Sequence, residues 1–149
     1  MKKLTPEQIE NIRKDPNKWD WQDLSIIYKL TESFIKEFQD RVDWWAVSAN
    51  QELSEDFIRE FQDKVYWGWT SYYKQLSEDF IREFQDKVDW YRLVNSQKFS
   101  ESFFLEFKNK LFHEEYFKNC CYYKNYHNIK HFLKYGMKLD DDLKKCLIR

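Results

Sequence analysis

Three histidines and three cysteines, all in the last third of the chain, are the first groups to test for chemistry. His127 and His131 stand one helical turn apart, with His113, Cys120 and Cys121 upstream and Cys146 beyond. Imidazole and thiolate are the ligands zinc takes. A tetrahedral ion, however, is gripped by thiolates spaced C-x₂₋₄-C, which two adjacent cysteines do not supply. The histidines therefore read as solvent-facing or hydrogen-bonded residues of a terminal helix, and no metal ligand or cofactor is assigned. Nothing beside Cys120 or Cys121 singles either out for a lowered pKa, so the thiols read as small buried hydrophobes. Carboxylates recur as Glu55/Asp56 and Glu78/Asp79 and run together at Asp140-Asp141-Asp142. Acid–base catalysis needs carboxyls tuned by a cleft, whereas these pairs suit the first turn of a helix, and a repeated pair would demand a repeated active site. There is no Gly-rich phosphate loop, G-x-S-x-G elbow or H-E-x-x-H. The expectation is a protein that is not an enzyme.

What remains is recognition, and the elements that must carry it are repeated. The segment Leu53–Val65 (LSEDFIREFQDKV) recurs unchanged at Leu76–Val88, with looser copies from Leu30 (LTESFIKEFQDRV) and Phe99 (FSESFFLEFKNKL). The four starts are 23 residues apart. A fixed period of this kind is the signature of a repeat architecture. Within one copy Phe57, Phe61 and Val65 stand four apart with Ile58 beside them, which predicts a short amphipathic helix. Ser54 is placed to cap it, and Leu53 and Ile58 have the spacing of a hydrophobic staple. Leu30/Thr31/Ile35, Leu76/Ser77/Ile81 and Phe99/Ser100/Phe104 repeat the device.

A second start signal follows about one turn later. Trp19-Asp20-Trp21, Val42-Asp43-Trp44 and Val88-Asp89-Trp90 each offer an apolar residue, a capping Asp and a Trp, with staple partners Leu24, Val47 and Leu93. Each unit is thus two helices of two to three turns, too short to stand alone and obliged to stack on its neighbours. The predicted fold is an all-α solenoid of helix-turn-helix repeats in one domain, 1–149. It comprises an N-terminal cap unit (1–29), repeats at 30–52, 53–75 and 76–98, and a divergent repeat with a C-terminal helical cap (99–149). Trp21, Trp44, Trp67 and Trp90 are expected between units, each placing its indole N–H on a backbone carbonyl. In the N-terminal unit, Thr5 caps a helix with Pro6 at its first position. Toward the C-terminus, Gly136 reads as the residue that ends a helix.

Composition agrees. Two glycines and two prolines in 149 residues, with 34 % charged and 20 % aromatic, suit bulky amphipathic helices. Net charge is −1, but it conceals an asymmetry: residues 1–98 carry 15 Lys/Arg against 19 Asp/Glu, and residues 99–149 carry 10 against 7. Neither an apolar leader segment nor an 18-residue apolar window occurs. With an odd number of cysteines this points to a cytoplasmic protein that engages no membrane.

At Phe57–Val65, and more fully at Phe80-Ile81-Arg82-Glu83-Phe84-Gln85-Asp86-Lys87-Val88-Asp89-Trp90, the chain resembles the short FI-x-x-F-x-D-K-V-D-W repeats of proteins from large DNA viruses and phages. The likeness covers roughly residues 19–111. It implies a viral or phage origin and a host-cell cytoplasmic setting, and carries no catalytic residue with it. Tyr66 departs from the pattern in place of the capping Asp, and both Asp and Trp are lost after Leu111.

Comparison among the repeats separates a near-constant first helix from a variable second one. Trp45, Trp69, Tyr72, Tyr73, Tyr91 and Arg92 fall on the variable segments and are the candidate partner-binding residues, since Trp, Tyr and Arg dominate interface hot spots. The competing reading packs several of them against the next repeat. The expected function is a non-catalytic module binding a host protein, in its sharpest form an inhibitor of a defence factor such as a CRISPR nuclease. Self-association through an uncovered apolar end is a further expectation. The alternative is nucleic-acid binding by the stretch from Tyr116 to Lys145, with Lys124, Lys130 and Lys134 meeting phosphates and Tyr123 and Tyr126 stacking on bases, among lysines interleaved with Tyr122, Phe132 and Tyr135.

Overall fold

A computed structural model describes residues 1–138 and 141–148 of the chain. Asp140, and the side chains of Asp142 and Cys146, lie outside the described residues. Short helices follow one another in the predicted order: α1 (Pro6–Lys14), α2 (Trp21–Ile27), α3 (Glu32–Glu37), α4 (Trp44–Asn50), α5 (Glu55–Glu60), α6 (Trp67–Tyr73), α7 (Glu78–Glu83), α8 (Trp90–Ser96) and α9 (Glu101–Glu106). The divergent end holds α10 (Lys108–Leu111), α11 (Glu114–Tyr122), α12 (Tyr126–Lys134) and α13 (Asp141–Ile148). The fold is an all-α solenoid of 23-residue helix pairs. Its contacts divide it into two compact units, residues 1–70 and residues 71 onward, each built by stacking successive pairs.

The caps form where the sequence puts them. Thr31, Ser54, Ser77 and Ser100 accept from the backbone N–H three residues on, and so do Asp20, Asp43 and Asp89 ahead of the second helices. Thr5 and Gln8 make a reciprocal capping box at α1. The first helices are shorter than two turns, because regular α geometry ends at Phe38, Phe61, Phe84 and Phe107. At each the carbonyl instead closes one more turn, as in Lys64 N–H to Phe61 O, 2.9 Å. One element has no counterpart in the periodicity: β1 (Lys2–Lys3) pairs in parallel with β2 (Tyr28–Lys29), Lys2 opposite Tyr28.

Cohesion within each unit is apolar and aromatic at the centre. Ile35, Val47, Ile58, Ile81 and Leu93 are fully buried. Trp44 lies against Phe57 and Phe61 of the next repeat at 6.3 and 5.2 Å, and Trp21 and Trp90 do the same to Phe34/Phe38 and Phe103/Phe107. Each indole N–H reaches the carbonyl five residues back, from Pro16, Gln39, Gln62 and Gln85, at 2.8–3.0 Å.

Polar stitches complete the stack. Buried Gln51 accepts from Leu30 N–H (2.8 Å) and donates to Ser25 O (2.7 Å) and Tyr28 O (2.9 Å). It thereby satisfies carbonyls that α2 leaves open at its C-terminal end. Gln97 repeats this in the second unit with Leu76 N–H and Lys74 O, and Asn128 closes the series on Phe99 N–H, Val94 O and Gln97 O. Ser48 and Ser71 hydroxyls receive the N–H of Tyr66 and Asp89 at 2.8 and 2.9 Å. Across the first helices runs a ladder of exposed ion pairs 24 residues apart: Arg13–Glu37, Lys36–Glu60 and Arg82–Glu106, with Lys64–Asp40 and Lys110–Asp86 alongside. Glu32 and Glu78 accept from the N–H of Ser54 and Ser100, the cap residues of the following repeat. These acids therefore have structural work, although exposed pairs of this kind are screened by solvent and contribute little each.

Candidate functional site

The second helices bury one face and leave the other to solvent. On α4 the buried face is Ala46, Val47 and Ser48, while Trp45 is 48 % exposed. Its indole meets Trp69 edge-on, centroids 5.5 Å apart at 88°. In the second unit Tyr72 and Tyr73 meet edge-on at 4.8 Å, with the Arg92 guanidinium 6.0 Å from the Tyr72 ring. Arg92 also pairs with Asp89 at 3.3 Å. Tyr91 turns to Tyr116, 5.7 Å away, and burial raises the Tyr116 phenol pKa above its ordinary value. The six predicted residues thus form three small clusters: Trp45 with Trp69, Tyr72 and Tyr73 with Arg92, and Tyr91 with Tyr116. Of these, Trp45, Tyr73 and Tyr91 are the exposed ones.

Sequence reasoning passed over Ile26 and Ile27, both exposed on α2, because a repeat comparison starting at Leu30 leaves that helix out. From Trp21 to Lys98 every exposed large apolar side chain among the described residues lies on a second helix or at Tyr66, where a cap should be. The first helices show charge there instead.

The second candidate region is the corner between α11 and α12. Tyr122, Tyr123 and Tyr126 are exposed, with Tyr122 and Tyr123 edge-on at 5.0 Å. Between them Lys124 adopts a left-handed backbone, φ 56°, and Asn125 N–H returns to Cys120 O at 2.8 Å. Asn125 anchors the corner through its side-chain amide, which donates to Val94 O and Gln97 O, each at 3.0 Å. An open groove of about 310 Å³ results, lined by Asn95, Lys98, Tyr123, Lys124, Tyr126 and His127 among others. Lys98 and Asn95 arrive from the preceding repeat and bear no local signal.

Other residues of that stretch serve elsewhere. Phe132 is buried against Phe104 and Phe117. Lys134 is held by Glu101 at 2.5 Å, and the Tyr135 hydroxyl donates to the same carboxylate, keeping the Glu101 pKa below the usual carboxylate range. Lys130 is exposed on α12. His127 and His131 both direct Nε2 at the Phe99 carbonyl, at 2.6 and 3.3 Å. Burial, then the neighbouring His127, lowers the His131 pKa. Burial, with Cys121 adding to it, pushes the Cys120 thiol up to about 12. Among the described residues no three His, Cys, Asp or Glu side chains gather as a metal-holding group, and no helix is long and apolar enough to cross a membrane. Comparison with protein-family models, with curated proteins and with solved structures finds no match.

Proposed function

We propose that this chain is a protein-binding module without chemistry of its own, presenting a partner with the solvent faces of its second helices. The observation that carries the reading is the division of surface. From residue 21 to residue 98, first helices spend exposed side chains on ion pairs with neighbouring repeats, whereas the exposed large apolar groups, Ile26, Ile27, Trp45, Tyr73 and Tyr91, lie on second helices; Tyr66, just ahead of α6, stands apart from this division, and beyond residue 98 Leu105 on α9 departs from it. Aromatic side chains with few rotatable bonds lose little entropy on docking and dominate interface energetics. The repeat likeness to viral and phage proteins makes a host protein the natural partner, and inhibition of a host defence factor the sharpest version.

The test is affinity capture from host lysate, treated with nuclease, using wild type and a Trp45→Ala/Tyr73→Ala/Tyr91→Ala triple variant with matched thermal melts. A stoichiometric protein retained by the wild type and lost by the variant is the expected result. Retention of no stoichiometric protein, or equal retention by both, overturns the reading.

A further inference from the structure

The groove at the α11–α12 corner has a chemistry that the second-helix faces lack. From Tyr116 to Lys138 the chain holds five lysines, Lys118, Lys124, Lys130, Lys134 and Lys138, and no Asp or Glu. The groove itself is lined by Lys98 and Lys124, and no carboxylate is among its described lining residues. Tyr123 and Tyr126 line it too, 50 % and 65 % exposed, Tyr123 with Tyr122 set edge-on to it. Cations beside exposed aromatic rings are what an unpaired nucleotide strand requires: phosphates meet the ammonium groups, and bases stack on the rings whatever their identity. A duplex keeps its base faces inside its own stack, and an acidic peptide would use the lysines but leave the rings idle.

The groove is also built in advance. Asn125 and Asn128 tie the start of α12 to Val94 O and Gln97 O, while His127 Nε2 lies 2.6 Å from Phe99 O. Lys98 and the Tyr123–Tyr126 corner are therefore held against each other by buried and part-buried bonds, so little ordering is left for the ligand to impose.

We propose that this groove binds single-stranded nucleic acid, without base specificity, through Lys98 and Lys124 at the phosphates and Tyr123 and Tyr126 at the bases. The groove takes Asn95 and Ser96 from the end of α8, but none of Trp45, Tyr73 and Tyr91 lines it.

The experiment is fluorescence anisotropy of labelled 12-mer oligo-dT and oligo-U, each against the matching duplex, at 50–200 mM salt. Expected are binding of single strands in preference to duplex and a fall of affinity with salt of about 0.7 in log–log slope for each phosphate engaged. Tyr126→Ala should weaken binding about tenfold. Lys98→Ala and Lys124→Gly should each flatten the salt slope by about 0.7. Lys124→Gly separates binding from folding, because glycine suits φ 56° and removes the charge while relieving the backbone. Its melting temperature should hold or rise as its affinity falls. The dT and U arms tell DNA from RNA. The Trp45/Tyr73/Tyr91 triple variant should bind the 12-mers as wild type does, so this site can fail without the protein-binding reading failing. The proposal is overturned if neither 12-mer binds at 50 mM salt, if the groove variants bind like wild type, or if a poly-glutamate peptide competes as well as oligo-dT. The last outcome would mark a site for acidic protein.

Discussion

Replacing Gln51 by methionine keeps the volume of the side chain and deletes its polar head. Three bonds go: Leu30 N–H to Oε1 at 2.8 Å, and Nε2 to Ser25 O and Tyr28 O at 2.7 and 2.9 Å. Gln51 is only 1 % exposed, so water cannot stand in. A buried donor left unmet costs about 1–3 kcal/mol, and each lost bond to a carbonyl that keeps a second lone pair costs about 1 kcal/mol. The sum is about 3–5 kcal/mol. Set against a total of about 5–15 kcal/mol for a domain, that is a large fraction. With an m-value of ~2 kcal/mol/M the urea midpoint should drop by about 2 M. The companion measurement is local: amide exchange at Leu30, slow in the wild type, should become fast. Gln75→Ala, at an exposed position, serves as control and should stay within about 0.5 kcal/mol. A Gln51→Met loss under about 1 kcal/mol, with the Leu30 amide still protected, would refute the stitch.

Tyr66→Asp should restore the missing cap of α6, because Tyr66 N–H sits on Ser48 Oγ as Asp89 N–H sits on Ser71 Oγ. A gain of about 1 kcal/mol, or about 2–4 °C in melting temperature, is expected by calorimetry, and no rise would mean that residue 66 does not present a cap. The Cys120 thiol, at a pKa of about 12, should be thiolate in roughly one molecule in ten thousand at pH 8. Native protein should therefore consume disulfide reagent at Cys120 only on unfolding, as read by peptide mapping. Acid should weaken the fold through His131. Its Nδ1 is buried with no hydrogen-bond partner, and its folded pKa is lowered, so the unfolded chain binds the proton more readily. Phe104 stacks on the ring; His127 and Lys130 oppose its charge, while Phe99 O and Glu101 favour it. The stability involved is fully present above about pH 6.5, the usual histidine value, and is lost as pH falls toward the folded pKa. His131→Phe should lose less melting temperature between pH 7.5 and pH 5 than wild type, and an identical drop in both would clear His131 of the effect.

What could be read in advance was whatever chemistry is local. Thr31, Ser54, Ser77 and Ser100 are recognisable as caps because cap, staple partner and apolar face all fall within one or two turns. The role of Trp21, Trp44 and Trp90 is legible because they recur at one register. Gln51 and Gln97 also recur, 46 residues apart, but Lys74 occupies the copy between them, and the groups they bond lie 21–26 residues upstream. Strand β1 pairs over only two residues, too few to show a period. The corner groove was half visible. Alternating Tyr123, Lys124 and Tyr126 announce themselves, but nothing near Lys98 says that it faces them, and nothing near Lys134 says that Glu101, 33 residues earlier, holds it.

The same obligations account for first helices being more alike than second helices among the copies in this chain. A first helix contributes the glutamate that holds the next cap, as Glu78 holds Ser100, the arginine of an ion pair, as Arg82 holds Glu106, and the Phe pair that receives the preceding Trp, as Phe57 and Phe61 receive Trp44. A change at any of these positions is felt by two repeats, so the segment from Leu53 to Val65 is copied intact at Leu76 to Val88. The solvent face of a second helix has no such obligation: Gln22, Trp45, Gly68 and Tyr91 occupy one register, and substitutions at exposed sites away from special contacts usually move stability by less than about 0.5 kcal/mol. Cohesion thus confines variation to the surface where aromatic rings accumulate. A repeat protein that evolves a binding face under this constraint can change its partner without changing how its repeats hold together.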